Sequence, residues 1–138
     1  MDTQKLITLL VKHEGLKLFP YVDTVGKLTI GCGHNLTNKG LTTFQVLNIL
    51  NDDINDVTQF LDWKLPWWRN LDDVRQRALA DMTFDLMGKI LGFKKFLAAL
   101  QSKDWEKASS ELLDSEFAHQ VGNRAIELST MVRTGIDI

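Results

Sequence analysis

The sequence is short of several residue types that define particular protein classes. It has 138 residues with one cysteine, Cys32, and two prolines. A single cysteine cannot form an internal disulfide, so the fold must rest on packing, as is typical of a chain made in a reducing compartment. The net charge is only −2, and the short FKKF segment at 93–96 is the nearest approach to a basic cluster. We therefore predict no nucleic-acid binding, which would need a basic surface.

Long hydrophobic runs are missing as well. The N-terminal segment MDTQKLITLLVKHEG is apolar over too short a stretch for a transmembrane helix, and it has no signal-peptide cleavage site. We expect no stable membrane association and no export by a standard route. Hydrophobic residues make up 44% of the chain and charged residues 25%, which is ordinary for a folded protein. The length suits one domain, or two lobes that share a core.

What the sequence contains is a change of periodicity along the chain. Helical spacing of leucines predicts a helix from about Thr3 to Glu14, ended by Gly15. Alternating residues and glycine turns over residues 16–34 predict short strands. An irregular connection is expected over residues 35–40. A small β-containing segment therefore lies near the N-terminus.

The rest of the chain has helical periodicity. The pattern TTFQ predicts a capping box with Thr42 as the N-cap of a helix that runs to about Leu61. The segment LPWWRN breaks this helix, and Asp72 is predicted to cap the next one, which has the most apolar face. Shorter helical pieces are predicted at about 92–101, 104–113, 115–119 and 123–133.

These elements predict an α+β fold that is mostly α. We expect one domain over residues 1–138, with a β-containing lobe at about 15–41 and a linking helix at about 42–61. Residues 1–14 and 62–138 would form a larger helical lobe. The cleft between the two lobes is the expected place for a ligand.

Glu14 is the first candidate functional residue. It ends the first helix, where the helix dipole places partial negative charge and so disfavours a carboxylate. The apolar side chains of Leu16, Leu18 and Phe19 follow closely and are expected to bury it further. A carboxyl group that keeps its proton near neutral pH is what a general acid requires.

Asp23 and Thr29 are the partners expected for this acid. Asp23 begins the turn DTVG, a polar setting that favours an ionised carboxylate, and Thr29 follows across the Gly26 turn. Its hydroxyl is expected to hold a water molecule with Asp23. An acid, a base and a positioned water are the parts of an inverting glycosidase. Each residue also has an ordinary explanation, because helix-terminal glutamates, DxxG turns and strand threonines are common in proteins without activity.

His34 is open to three interpretations, as a catalytic base, a metal ligand or a scaffold residue. Cys32 and His34 are two residues apart, but a zinc site needs a third and a fourth ligand. His13 and His119 do not have ligand-like spacing. We therefore predict no metal and no cofactor. His34 is expected to support the glycine turn by pairing with an acid on the long helix, with Asp53 as the favoured candidate.

The stretch EG…YVDTVGKLTIGCGH resembles the active-site segment of the phage-type lysozymes, the endolysin muramidases of glycoside hydrolase family twenty-four. The segment KLPWWRNLDDVRQRALADMTFDLMG is similar to the buried helix of that family, and QVGNRAIELSTMVRTG to its C-terminal segment. The resemblance implies a lysozyme-like fold and a glycoside hydrolase. Its reaction would be hydrolysis of the β-1,4 bond between N-acetylmuramic acid and N-acetylglucosamine in peptidoglycan.

The resemblance also assigns roles to individual residues. It implies that Glu14 is the general acid, that Asp23 activates the water and that Thr29 orients it. It implies substrate contacts at Asn35 and Phe84. It further implies that Arg124 forms an ion pair with Glu14 in the free enzyme, as a supporting residue.

The biological setting is likewise implied by the resemblance. An endolysin would accumulate in the host cytoplasm until a holin-type protein opens the membrane, and would then act at the wall or in the periplasm. Its partner would be peptidoglycan glycan strands, its effect bacteriolytic and antimicrobial, and its state a monomer. Two alternatives stay open at this point. One is a lytic transglycosylase acting on the same bond, and the other is a catalytically silent wall-binding module.

Overall fold

The computed structural model describes every residue from Met1 to Ile138. Three strands follow the first helix, namely β1 (Lys17–Val22), β2 (Leu28–Gly31) and β3 (His34–Asn35). The eight α-helices are α1 (Thr3–Glu14), α2 (Leu36–Lys39), α3 (Thr43–Lys64), α4 (Asp73–Leu86), α5 (Lys94–Gln101), α6 (Trp105–Leu113), α7 (Glu116–Val121) and α8 (Asn123–Thr134). Short 3₁₀ helices cover Pro66–Asn70 and Met87–Gly92.

The chain divides into two compact units, Met1–Ile49 and Leu50–Ile138, and the boundary falls inside α3. The predicted fold class is confirmed, because a mostly helical chain carries one small antiparallel sheet. The arrangement of residues 1–14 with the helical lobe stays a prediction. None of the helices combines the length and the apolar character needed to cross a bilayer.

Helix α1 has the bounds that the sequence predicts. It begins where the Asp2 carboxylate accepts a hydrogen bond from the backbone N–H of Lys5 at 3.0 Å. It ends at Gly15, whose φ of +76° is readily available only to glycine and whose N–H donates to the Val11 carbonyl. This termination fixes Glu14 as the last helical residue, directly before the sheet.

The sheet is antiparallel, with strand order β1–β2–β3. Tyr21 lies opposite Thr29, and Val22 lies opposite Leu28. Because side chains alternate between the two faces of a sheet, Tyr21 and Thr29 share one face, while Val22 and Leu28 share the other. Thr29 is only 3% exposed and is the one buried residue of the first unit.

The connection after β3 is more regular than predicted. Residues 36–39 form the single helical turn α2, which Asn35 caps by accepting a hydrogen bond from the Asn38 N–H at 3.0 Å. Gly40 ends the turn with a φ of +57°. The prediction of an irregular segment was wrong because Asn35 supplies an N-cap and Gly40 a C-terminal stop.

The capping box that begins α3 is confirmed. The Thr42 hydroxyl accepts from the Gln45 N–H at 3.2 Å, and the Gln45 side chain accepts from the Thr42 N–H at 2.8 Å. The helix then continues to Lys64, three residues beyond the predicted end at Leu61. The following Pro66 begins the 3₁₀ helix that replaces it.

The second unit contains the hydrophobic core. Helix α4 is central to it, as predicted, since Ala78, Leu79 and Met82 have no exposed surface. Helix α8 packs against α4, α6 and α7, and α6 also packs against α5. The core also includes large apolar side chains from the other elements: Leu61, Trp68, Ile90, Phe96, Leu100, Leu112, Phe117 and Val132.

Arg75 joins α4 to the end of α8 inside this unit. Its guanidinium donates to the Val132 carbonyl at 2.7 Å and to the Arg133 carbonyl at 3.2 Å, and it stacks on the Trp105 ring at 3.8 Å. Gly135 terminates α8 in the left-handed conformation, with a φ of +68°. A Cβ atom at Gly135 would lie 2.6 Å from Arg75 Nη1, so a side chain and the guanidinium cannot occupy this space together.

We therefore expect Gly135→Ala to lower the free energy of unfolding by about 2–4 kcal/mol, through left-handed strain and displacement of a charged hydrogen-bond donor. Urea unfolding at neutral pH measures the change. Gly88→Ala is the matched control, because no atom lies within 4 Å of its added Cβ and its φ is not positive. Equal losses in the two variants would show that the contact with Arg75 does not matter.

Candidate active site

The three residues predicted to be catalytic lie around one cavity. This cavity has a volume of about 430 Å³ and belongs entirely to the first unit. Its lining comprises Glu14, Tyr21, Val22, Asp23, Thr24, Thr29 and Gly33. The three predicted residues come from the end of α1, the β1–β2 turn and strand β2, and they lie within fifteen positions of one another in the sequence.

Glu14 is held between the end of α1 and the glycine turn after β2. Its carboxyl group lies against Gly33, where an added Cβ would sit 3.5 Å from Oε2 and 3.6 Å from Cδ. Gly33 has a φ of +76°, so its backbone conformation also favours glycine. The absence of a side chain here leaves the carboxyl group room to turn towards the cavity.

The expected burial of Glu14 by its apolar neighbours was wrong. Glu14 is exposed, and Leu16, Leu18 and Phe19 are between 64 and 82% exposed. The physical reason is that β1 is the edge strand of a three-stranded sheet, and its apolar side chains are not covered by another layer.

Asp23 is fixed by the turn it begins, as the sequence predicts. Its Oδ1 accepts two backbone hydrogen bonds, from the Val25 N–H at 2.9 Å and from the Lys27 N–H at 2.8 Å. The backbone closes the same turn, because the Asp23 N–H donates to the Lys27 carbonyl at 2.9 Å. Both side-chain bonds fall on one oxygen, so Oδ2 is the carboxylate oxygen left for a ligand.

Thr29 has a hydrogen bond that the sequence does not reveal. Its hydroxyl donates to the Lys27 carbonyl at 2.9 Å, two residues back along the chain. Because the hydroxyl proton is used in this bond, the oxygen is left as an acceptor. Thr29 and Asp23 therefore both present acceptor oxygens to the cavity.

Comparison with known protein families finds a match that covers this cavity. The model of the phage lysozyme family matches residues 11–133, which include every residue of the cavity. The chain belongs to the phage lysozyme family.

The relatives of this chain come from a cellular organism and from phages. The chain is 26% identical to the probable T4-type lysozyme 1 of Dictyostelium discoideum, over 92% of both proteins. It is 30% identical to an endolysin of Acyrthosiphon pisum secondary endosymbiont phage 1, over 88% of this chain and 84% of that protein. It is also 26% identical to the pre-baseplate central spike protein of Enterobacteria phage T4, over 92% of this chain and 27% of the spike protein.

His34 has a different partner from the one expected. Its Nε2 lies 2.7 Å from the Gly40 carbonyl oxygen. The expected partner was a carboxylate on the long helix, that of Asp53. The physical reason is the α2 turn, which brings Gly40 back towards the ring. This bond ties β3 to the end of the turn, and the supporting role of His34 in the site stays a prediction.

Arg124 also has partners other than the one expected. Its Nε donates to Asp81 Oδ1 at 2.8 Å, and its Nη1 donates to Asp85 Oδ2. Asp81 and Asp85 are four residues apart on α4 and therefore project from one face of that helix. The predicted ion pair with Glu14 is replaced by this pair of aspartates, which sequence reasoning did not consider.

The two predicted substrate contacts lie in different units. Asn35 caps α2 with its Oδ1, so its amide nitrogen is the group left to meet a ligand. Phe84 is exposed on α4 and lines an apolar groove of about 430 Å³ in the second unit, together with Ile54 and Val57. Their roles in substrate binding stay predictions.

Sequence reasoning missed four residues that line the cavity: Tyr21, Val22, Thr24 and Gly33. The signal for Tyr21 was the hairpin register, because a residue opposite Thr29 must share its face. The signal for Gly33 was its place in the segment GCGH, where a second glycine within three residues indicates a backbone conformation that other residues avoid.

We expect Gly33→Ala to lower kcat severalfold, because the new methyl group would be in van der Waals contact with the Glu14 carboxyl, 3.5 Å from Oε2, and would restrict its rotation. Gly31→Ala is the matched control. Gly31 also has a positive φ, of +69°, but no atom lies within 4 Å of its added Cβ. Both substitutions place an alanine at a positive φ, so we expect similar shifts of the thermal unfolding temperature. The steady-state kinetics on purified peptidoglycan should change only for Gly33→Ala. Equal kinetics in the two variants would remove the role given to this contact.

Proposed function

We propose that this protein is a lysozyme that hydrolyses the β-1,4 bond between N-acetylmuramic acid and N-acetylglucosamine in bacterial peptidoglycan. The observation that carries the proposal is the cavity shared by Glu14, Asp23 and Thr29. Membership of the phage lysozyme family supports the same substrate. The reaction needs one proton donor, one acceptor and one water, and this cavity supplies a group for each task.

Glu14 is the proton donor in this mechanism. It stands at the C-terminal end of α1 and lines the cavity, where its protonated carboxyl group would donate to the substrate. As the bond between C1 of the muramic sugar and the bridging oxygen breaks, the Glu14 proton passes to that oxygen. The leaving sugar departs with a neutral hydroxyl group.

Asp23 and Thr29 hold the attacking water. A water between them donates one hydrogen to Asp23 Oδ2 and the other to Thr29 Oγ1, since both are acceptors once their other hydrogen bonds are made. The water's lone pair then points away from both and towards the sugar. Asp23 takes the proton that the water loses as its oxygen bonds to C1.

The proposed reaction is an inverting one, because the mechanism places a water between the acid and the base. In inverting glycosidases the two carboxyl groups stand about 6.5–9.5 Å apart, while retaining enzymes bring them to about 5–5.5 Å. The water attacks the face of the ring opposite the leaving group, so a β bond gives an α product. Two hydrogen bonds to Asp23 Oδ1 hold that carboxylate in its turn and leave Oδ2 to accept the proton of the water.

In its biological role we propose an endolysin that lyses the host cell as a monomer. The endolysin among its relatives supports this assignment. The protein would wait in the host cytoplasm until a holin-type protein opens the membrane, and would then reach the wall.

We expect Glu14→Gln to lower the rate of turbidity loss of permeabilised Gram-negative cells by about 10²–10⁴-fold, since an amide has no proton to give. Glu14 is exposed, so thermal unfolding should stay close to that of the parent. Glu106→Gln, an exposed change on α6 outside the cavity, is the control and should keep full activity. If Glu14→Gln clears cells as fast as the parent, catalysis by this carboxyl group is not how the protein acts.

We expect the fresh reducing end to be the α-anomer, because the water attacks opposite to the leaving group. Rapid NMR of the products from a soluble peptidoglycan fragment measures it before mutarotation. A β-anomer would make Asp23 a covalent nucleophile. A product lighter by one water in mass spectrometry would be the anhydro sugar of a lytic transglycosylase, and would refute hydrolysis.

A further inference from the structure

Tyr21 is a side chain of the candidate active site to which the proposed reaction gives no role. It lines the cavity together with Glu14, Asp23 and Thr29, and it is the only residue of β1 that is not exposed. The side-chain hydrogen bonds of the adjacent turn involve Asp23, Thr29 and the backbone, and none of them uses the Tyr21 hydroxyl. Because the hydroxyl of a buried tyrosine usually has a partner, this phenol is a polar group left for a ligand.

The hairpin departs from regular pairing at the point where it places this side chain. Lys17 pairs with Gly31. The next pair joins Tyr21 to Thr29, so β1 advances four residues while β2 advances two. In a regular antiparallel ladder Phe19 would lie opposite Thr29. The irregularity sets Tyr21 there instead, and irregularities of this kind are typical of strands that turn a side chain towards an active site.

The polar neighbours of the phenol in the cavity are hydrogen-bond acceptors. Directly opposed residues of an antiparallel pair have Cβ atoms about 4.5–5.5 Å apart, so Tyr21 lies beside Thr29. The Thr29 hydroxyl uses its proton on the Lys27 carbonyl, and Asp23 Oδ2 is a carboxylate oxygen. A phenol can donate a hydrogen bond, which neither of these oxygens can do. Tyr21 therefore supplies the cavity with a donor next to two acceptors.

One group of the proposed substrate requires such a donor. Sugar hydroxyls both donate and accept, so they can pair with the acceptors of the cavity as well as with a phenol. The carbonyl oxygen of an acetamido group only accepts, and both sugars of peptidoglycan carry this group. Thr24 also brings a hydroxyl to the cavity, but it is exposed at the turn, while Tyr21 is half-buried on a strand. The tyrosine ring is the more rigid support, with less freedom to lose on binding.

We propose that Tyr21 is a substrate-binding residue whose phenol donates a hydrogen bond to the acetamido carbonyl of the N-acetyl sugar in the cavity. The inference rests on the proposed function, because it assigns a contact within the same site. The hydrogen bond holds the sugar beside the water at Asp23 and Thr29, and Tyr21 keeps its proton throughout the reaction. A sugar without its acetyl group leaves the phenol unpaired, and an unpaired polar group is what lets a site reject the wrong substrate.

Tyr21→Phe tests the contact, because it keeps the ring and removes only the donor. On purified peptidoglycan we expect kcat/KM to fall about three- to tenfold, as for the loss of one neutral hydrogen bond, chiefly through a higher KM. The pH dependence of kcat and the thermal unfolding temperature should stay as in the parent. Thr8→Val is the matched control, since it removes an exposed hydroxyl of α1 that does not line the cavity, and it should keep the parent's kinetics.

Partly de-N-acetylated peptidoglycan strands identify the group that Tyr21 binds. Bonds beside acetylated and deacetylated sugars compete in one mixture, and mass spectrometry of the new ends gives the ratio at which they are cut. We expect the parent to favour the acetylated bonds at least severalfold, and Tyr21→Phe to lose most of this preference.

Three results would overturn the proposal: no preference in the parent, the same preference in Tyr21→Phe, or a preference that only Thr24→Val removes, which would make Thr24 the donor. A parent that cuts the strands, whichever of these results it gives, leaves the proposed function intact. A parent that cuts neither kind of bond, on these strands or on purified peptidoglycan, would instead refute the proposed function.

Discussion

The register of the β1–β2 hairpin is the constraint on which the candidate site depends. Tyr21 lies opposite Thr29, so both side chains face the cavity that Glu14 and Asp23 also line. A slip of one residue would send Thr29 to the opposite face, because side chains alternate along a strand. The turn that sets the register is closed by Asp23 itself, whose carboxylate accepts the N–H groups of Val25 and Lys27. One residue therefore shapes the site and is expected to act in it.

The backbone conformations of two glycines position Glu14, the remaining residue of the candidate site. Gly15 ends α1 directly after Glu14, and Gly33 gives the carboxyl group a surface without a side chain. Both have positive φ values that other residues adopt at a cost. Glu14, the proposed proton donor, is therefore positioned by the backbone on both sides.

The two units differ in how they are stabilised. The second unit has a continuous apolar core and several arginine–aspartate pairs, among them the pairs that Arg124 makes on α4. The first unit buries only Thr29 and is held chiefly by backbone hydrogen bonds and capping side chains.

The sequence by itself determined the local features of this protein. Asp2, Gly15 and the Thr42 capping box act on neighbours within four residues, so their pattern is enough to predict where helices begin and end. The same holds for the three candidate site residues, Glu14, Asp23 and Thr29. They lie within fifteen positions of one another, and the end of α1 and the hairpin bring them to one cavity.

Only the tertiary structure decided which distant residues form contacts and which apolar side chains stay exposed. Arg124 pairs with Asp81 and Asp85 across forty-three and thirty-nine positions of sequence, and no local pattern selects between these acids and Glu14. The exposure of Phe19 was likewise not predictable, because an apolar strand has the same sequence whether or not another layer covers it. Which partner a charge takes, and which apolar face is covered, depends on the packing of the whole chain.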